Sequence, residues 1–355
     1  MKRRKLTVFL GVLAVLIAIA AAVLLRKTAP PEPVRLLPEA QAYLYIDLKP
    51  LHRAGLLDKM PPVQFDADYD QFVKETGFQF ERDLQQVAVA VHMPTPTSVP
   101  DPRHPSEDRY SEVIAAHFDA QRAIAYFKKL NSTVEDYRGR DIFNIPREDR
   151  TVRVCILAPD LVAISNTNDP GVMHGVIDRY HKLAYPFGGP RLVREHYRKL
   201  PFGTLAWSIA EIAPGSDQNT VVTLPGGFNL FIPPDTLLVG SIRYLTSIDL
   251  RVQALTSEQG ARRITDQLNA FLAVFHMLEA QASGGDPDVN AFFDSIKVKQ
   301  GDSETELTAS LPKGFLKKLL TEPPPEIHPP VAAPEPEKAP PKRHKGHSPP
   351  NTPKP

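Results

Sequence analysis

The strongest constraint on this chain lies in residues Leu6–Leu25, LTVFLGVLAVLIAIAAAVLL, which carry no charge and a single polar side chain, Thr7. A helix rises 1.5 Å per residue, so the run spans about 30 Å, the hydrocarbon thickness of a bilayer. It predicts one transmembrane helix, since no later stretch is as long and as apolar. Lys2, Arg3, Arg4 and Lys5 precede it and Arg26 and Lys27 follow it. Four basic residues against two predict a cytoplasmic N-terminus, with the rest of the chain on the far side. The competing reading is a cleaved signal peptide with an A-x-A-like site at Ala20–Ala22. Against it, the apolar run continues through Val23, Leu24 and Leu25, beyond the usual core of a signal peptide.

The flanks of the remaining chain are rich in proline. Residues 28–38, TAPPEPVRLLP, read as a stiff extended spacer. From Pro323 to Pro355, 13 of 33 residues are proline, mixed with Glu and Lys. Almost nothing there is apolar enough to offset the entropy of ordering, which predicts a disordered tail over 322–355. Its basic block, Lys342, Arg343, His344 and Lys345, is the one candidate docking element, suited to an anionic polymer or lipid headgroups.

Between these flanks the pattern is that of a folded body. Period-two alternation predicts strands at 42–48, 86–93, 111–118, 151–157, 161–165, 248–255, 296–300 and 304–311. Thr133–Arg138 and Asp141–Ile145 read as a hairpin across Gly139. Asp119 caps a predicted helix with Ile124, Phe127 and Leu130 on one face. Asp169-Pro170 opens another, and Ser257 a long third. The order strand, helix, hairpin, helix thus occurs at about 111–183 and again at 246–320. The fold class expected is α+β: two similar modules, 39–190 and 191–321, each an antiparallel sheet with helices on one face, after the anchor of residues 1–27.

Candidate chemistry is sparse. Asp66-Ala67-Asp68-Tyr69-Asp70 opens like a calcium loop, but Gln71 and Gly77 stand where glycine and a bidentate glutamate are needed; a helix cap accounts for it. Ser310-x-x-Lys313 lacks the partner motifs of an acyl-transfer serine. Glu195-His196 belongs to no H-E-x-x-H, and His92, His117, His174 and His181 are scattered. Cys155, the only cysteine, sits in an apolar strand, which excludes an internal disulfide or a cysteine zinc cluster. Asn166–Gly171 reads as a capping turn, and the loop at 94–105, with five prolines, as a stiff surface insertion. The net charge of +1, from 42 Lys+Arg against 41 Asp+Glu, excludes nucleic-acid binding through bulk charge. Asp47, Asp83 and Glu112 are the carboxylates that a hydrolase would have to bring together.

Leu37-Pro38-x-x-x-x-Tyr43-x-x-x-Asp47 and Thr76-Gly77-Phe78-x-x-x-x-Asp83-Leu84 resemble the LP-x-x-x-x-Y-x-x-x-D opening and TGF-x-x-x-x-DL segment of uncharacterised bacterial membrane-anchored or exported proteins. The resemblance implies location and fold and brings no activity. Taken together, the expectation is a single-pass protein of the bacterial inner membrane, held through Leu6–Leu25. Its body would lie outside the cytoplasm and bind an envelope protein or anionic polymer, without cofactor, metal or catalytic residues. The alternatives are an accessory subunit of an envelope transport or assembly complex, and a hydrolase with an unfamiliar site.

Overall fold

The structure is a computed structural model that describes residues 29–312, apart from 57–66, 93–108, 148–149, 183–187, 213–217, 225–226, 245–246 and 283–286. The Leu6–Leu25 run, the tail with Lys342–Lys345, the loop at 94–105, Asp66 and Lys313 lie outside the described residues. Among the described residues, no helix is long and apolar enough to cross a membrane.

The body is α+β and is built on one large antiparallel sheet. Its first strands are β1 (Ala42–Asp47), β2 (Leu84–His92) and β3 (Arg109–Ala116), followed by β4 (Thr133–Tyr137), β5 (Arg140–Pro146), β6 (Thr151–Ala158) and β7 (Leu161–Ser165). Then come β8 (Thr204–Ile212), β9 (Thr220–Leu224), β10 (Phe228–Ile232), β11 (Thr236–Tyr244), β12 (Ile248–Leu255), β13 (Lys297–Gln300) and β14 (Glu304–Leu311). Twelve of them pair in the order β13-β14-β12-β11-β8-β1-β2-β3-β7-β6-β5-β4, while β9 and β10 form a separate hairpin. The sequence suggested a sheet for each module. Instead β1 pairs with both β2 and β8, so one sheet runs through both halves of the chain.

Side chains alternate across a strand, so the register sorts residues onto two faces. Tyr43, Tyr45, Ala88, Val113, Cys155, Ala163, Trp207 and Ile209 share the front face and one buried cluster. On this face lie α1 (Glu32–Leu36), α6 (Gly171–His181) and α7 (Arg191–His196), through Val34, Leu36, Met173, Val176, Ile177, Leu192 and Val193. The back face carries Phe143, Ile145, Val154, Val162 and Ile164, against Ile124, Phe127 and Leu130 of α5 (Ala120–Lys129). Further along the same face, Ile212 and Ala254 pack on Ile264 and Leu268 of the 25-residue α8 (Glu258–Ala282) and on the β9–β10 hairpin. Helices therefore cover both faces, which corrects the one-faced expectation. In the central strands both sets of alternating residues are apolar, and each set needs its own cover.

The spacer reading also fails beyond Pro31. Val34, Leu36 and Leu37 are fully buried, and the Tyr43 hydroxyl donates to the Pro38 carbonyl (2.9 Å) and accepts from the Ala40 N–H (2.6 Å). Prolines at 31 and 33 open the short helix α1 rather than extending the chain, because proline fits the first turn, where its missing N–H has no partner to lose. The remaining helices are α2 (Lys49–Arg53), α3 (Ala67–Thr76), α4 (Phe80–Asp83) and α9 (Pro287–Ser295).

Predicted caps are in place. The Asp119 carboxylate accepts from the Gln121 and Arg122 N–H groups, and the Ser257 hydroxyl from that of Gly260. The Thr76-Gly77-Phe78 segment is a helix end. Gly77 takes φ +75°, while the Arg122 guanidinium donates to the Lys74 and Glu75 carbonyls at the C-terminus of α3. A Cβ at position 77 would stand 2.5 Å from that guanidinium.

Candidate functional site

Five strand pairings place Lys297, Thr308, Arg251, Ser241, Trp207 and Tyr45 side by side on the front face. At ~4.8 Å per strand, this row crosses about 24 Å of sheet. Two adjoining depressions of about 350 Å³ and 440 Å³ lie along it, with Pro201 forming a wall of each. One is aromatic and the other is built from arginines and hydroxyls.

The aromatic part stands on β1 and β8. Tyr45 and Trp207 are 5.6 Å apart between ring centres, and Tyr197 meets Trp207 edge-on at 5.7 Å. Gln86 donates to the Tyr45 hydroxyl (2.6 Å) and to the Asp47 carboxylate (3.2 Å). Burial, with Asp47 next to it, pushes the Tyr45 phenol far above its ordinary pKa, and burial raises Tyr197 as well. Both phenols are neutral hydrogen-bonding groups at any physiological pH. At the rim, Pro201-Phe202-Gly203 turns with φ +77° at Gly203, and the Thr204 hydroxyl closes the turn onto the Pro201 carbonyl. This projects Phe202 outward, 81% exposed. Burying a phenylalanine is worth roughly 1.5–3 kcal/mol, so this ring at the mouth of a depression is a ready contact for a ligand.

The polar part stands on β11, β12 and β14. The Ser310 and Ser247 hydroxyls each donate to the same Asp249 oxygen (2.9 Å) and lie 3.1 Å apart. Arg251 pairs with Glu306 at 2.5 Å and Arg243 with Asp249 at 3.5 Å. Among the described residues, the buried Nε of Arg243 has no hydrogen-bond partner. Guanidinium and hydroxyl groups in one depression suit carboxylate, phosphate or polyol groups.

The sequence candidates scatter. Asp47 faces front, because Tyr45 pairs with Ala88 and Ala88 with Val113; Glu112, one residue from Val113, faces back. Asp83 accepts from the Gln79 N–H and is bridged by Arg82 at 2.7 Å. Burial works against its charge, but these partners outweigh it and hold the carboxyl below its usual range. These three carboxylates therefore form no common acid/base pair. The Ser310 hydroxyl donates to the Asp249 carboxylate and lies beside the Ser247 hydroxyl. His174 lies 2.6 Å from a Glu135 oxygen and stacks on Tyr137, away from His181. His92 meets Ser111. Cys155 is fully buried, and Glu195 pairs with Arg191. Asn166 accepts from the Tyr110 N–H. Among the described residues, no three His, Cys, Asp or Glu side chains gather as metal ligands. The sequence reading missed the groove because it predicted no strands between 204 and 244, where Trp207, Ser241 and Arg243 sit.

No family model and no curated protein sequence matches this chain. Among solved structures it is similar to TP0453. Crystal form III is matched at 10% identity and TM-score 0.42 over 82% of this chain and 98% of that one. Crystal form I is matched at 10% identity and TM-score 0.41 over 81% and 96%.

Proposed function

We propose that this protein is a membrane-tethered binding protein of the bacterial envelope, whose groove on the front face holds an envelope protein or an anionic polymer. The observation that carries this reading is the two-part groove, aromatic at Tyr45, Tyr197 and Phe202 and polar where Arg243, Arg251 and Lys297 stand against Asp249 and Glu306. Leu6–Leu25 is the anchor, with a cytoplasmic N-terminus and the body outside the cytoplasm. Six residues, 26–31, separate that run from α1, so they hold the packed body within roughly 22 Å of the membrane. The two halves of the chain act as related modules. In each, a helix follows one strand and the last strand returns to pair with it, β7 on β3 and β14 on β12. The tail beyond 322 extends the reach of Lys342, Arg343, His344 and Lys345 to an anionic surface.

The test is a photoreactive residue at position 202 of the full chain in growing cells, with position 134 on the edge strand β4 as control. A discrete adduct at 202 that is absent at 134 and lost in an Arg243→Ala, Arg251→Ala background is the result expected. Equal labelling at both positions overturns the reading. Protease treatment of spheroplasts reads the topology independently: the body should be cut and the N-terminal stub protected.

A further inference from the structure

The back face carries an apolar cavity of about 200 Å³ between the sheet and helices α3–α5. Phe72, Phe80 and Phe127 on the helices and Phe78 in the turn between α3 and α4 form its outer wall, and Ile114 and Ile164 its floor. Phe80 is 38% exposed, so the cavity opens to the surface. Apolar sites of comparable size, about 150 Å³, take up a benzene ring.

Glu112 stands at the edge of this floor. It is directly opposite Ile164 across the β3–β7 pairing and two residues from Ile114 on the same strand, hence on the same face. On its other side it faces Val89 of β2. Neither an ion pair nor a hydrogen bond reaches its carboxylate from the described residues, whereas Asp47 and Asp83 each have a partner. Tyr110, also on β3, is the other titratable group on this part of the sheet face among the described residues. Burial alone raises the Glu112 carboxyl above its ordinary range, as apolar surroundings do, with no opposing charge among the described residues. A carboxylate costs free energy in such a place until a cation meets it. Leu44, on β1 next to Val89 and 40% exposed, continues the apolar surface beyond Glu112.

We propose that this cavity and Glu112 together form a second binding site, for a small hydrophobic amine whose aromatic or alkyl group fills the phenylalanine-lined cavity while its ammonium pairs with Glu112. The site is on the opposite face from the groove and does not depend on it. The apolar part supplies most of the affinity, and the ion pair discriminates amines from neutral molecules of the same shape.

The experiment uses the full chain in nanodiscs and two photoreactive phenylalkyl probes of equal length, one ending in an amine and one in an alcohol. Labelled residues are mapped by mass spectrometry. The amine is expected to label the segment around Phe72–Phe80 and α5, about tenfold more strongly than the alcohol, as for a hydrogen bond to a charged group. In Glu112→Gln that preference disappears, and the weaker alcohol labelling is unchanged. Labelling that maps outside the cavity overturns the proposal, and so does equal labelling of the wild-type chain by both probes. The wild-type comparison decides even if Glu112→Gln folds poorly. Loss of the groove through Arg243→Ala leaves this result untouched, so the two sites are tested separately.

Discussion

Replacing Tyr43 with Phe tests whether the chain is fixed to the body from Glu32 onward or only from the first strand. The ring is 1% exposed, so its packing is preserved and only the hydroxyl is removed. That hydroxyl satisfies two backbone groups, the Pro38 carbonyl and the Ala40 N–H. Pro38 is buried, so its oxygen loses a partner without regaining water, whereas Ala40 is half-buried and its N–H is partly resolvated. An unmet buried group costs about 1–3 kcal/mol, which puts the substitution near 2 kcal/mol once the partial rescue at Ala40 is included. For a body of this size, at ~2.1 cal/mol/K of unfolding entropy per residue, that lowers Tm by roughly 3–4 °C. The assay is thermal unfolding of the purified full chain, paired with limited trypsin digestion at Arg35, the basic residue inside α1. Destabilisation should come with faster cleavage there, because the segment then keeps its packing and the Glu39 contact to the Arg191 N–H but loses the Tyr43 clamp. A Tm within 1 °C of wild type, with unchanged cleavage, would refute the clamp and restore the reading of 28–38 as a free spacer.

Two further outcomes follow from the core. Phe143→Ala removes a ring that is 1% exposed and lies 5.5 Å from Phe127 of α5; it should cost about 3–5 kcal/mol, and a denaturation midpoint close to wild type would place α5 off the back face. Cys155 is fully exposed to reagent only on unfolding: burial pushes its thiol up to about 12, so at pH 8 it is protonated as well as shielded. A thiol-specific disulfide reagent should therefore report no reactive cysteine in the native protein and one in denaturant, and rapid native reaction would contradict the front-face packing.

The legible part of the fold was the part with one buried face. β14 shows Glu306, Thr308 and Ser310 on one side and Leu307, Ala309 and Leu311 on the other, and the register agrees. The caps at Asp119 and Ser257 were equally plain, because an N-cap is a local hydrogen bond set by neighbouring residues. The strands at 204–212 and 236–244 were missed for a physical reason. Trp207 and Ile209 of β8 face the front core, while Ala210 and Ile212 face the back, and Ser208, Glu211, Ser241 and Arg243 are interspersed, so apolar residues fall at both parities and no period-two alternation stands out. The spacer was misread because proline content alone does not distinguish an extended linker from a helix start. The buried side of α1 depends on Val34, Leu36 and Leu37 meeting strands far away in sequence. Of the groove, the sequence singles out Asp47 and Ser310 alone, because pairing across β1, β8, β11, β12, β14 and β13 is a long-range property.

Strand parity also accounts for the division of chemistry between the two faces. Asp47 and Glu112 lie near one another in strand order, and a sequence reading can take them as a candidate pair. Asp47 aligns with Gln86 and Gln86 with Ala115, so three residues, an odd number, separate Glu112 from the lateral position of Asp47. An odd offset reverses the face, and no side-chain rotation brings a carboxylate through a sheet. Asp47 is therefore tied to Gln86 and the aromatic depression, and Glu112 to the phenylalanine-lined cavity behind it. The two faces share a backbone but no side-chain contact at these positions, so changes at Phe202 and at Glu112 should add within about 0.5 kcal/mol when combined. Coupling larger than that would mean that the sheet transmits strain from one face to the other, and a ligand on the front would then be felt at the back.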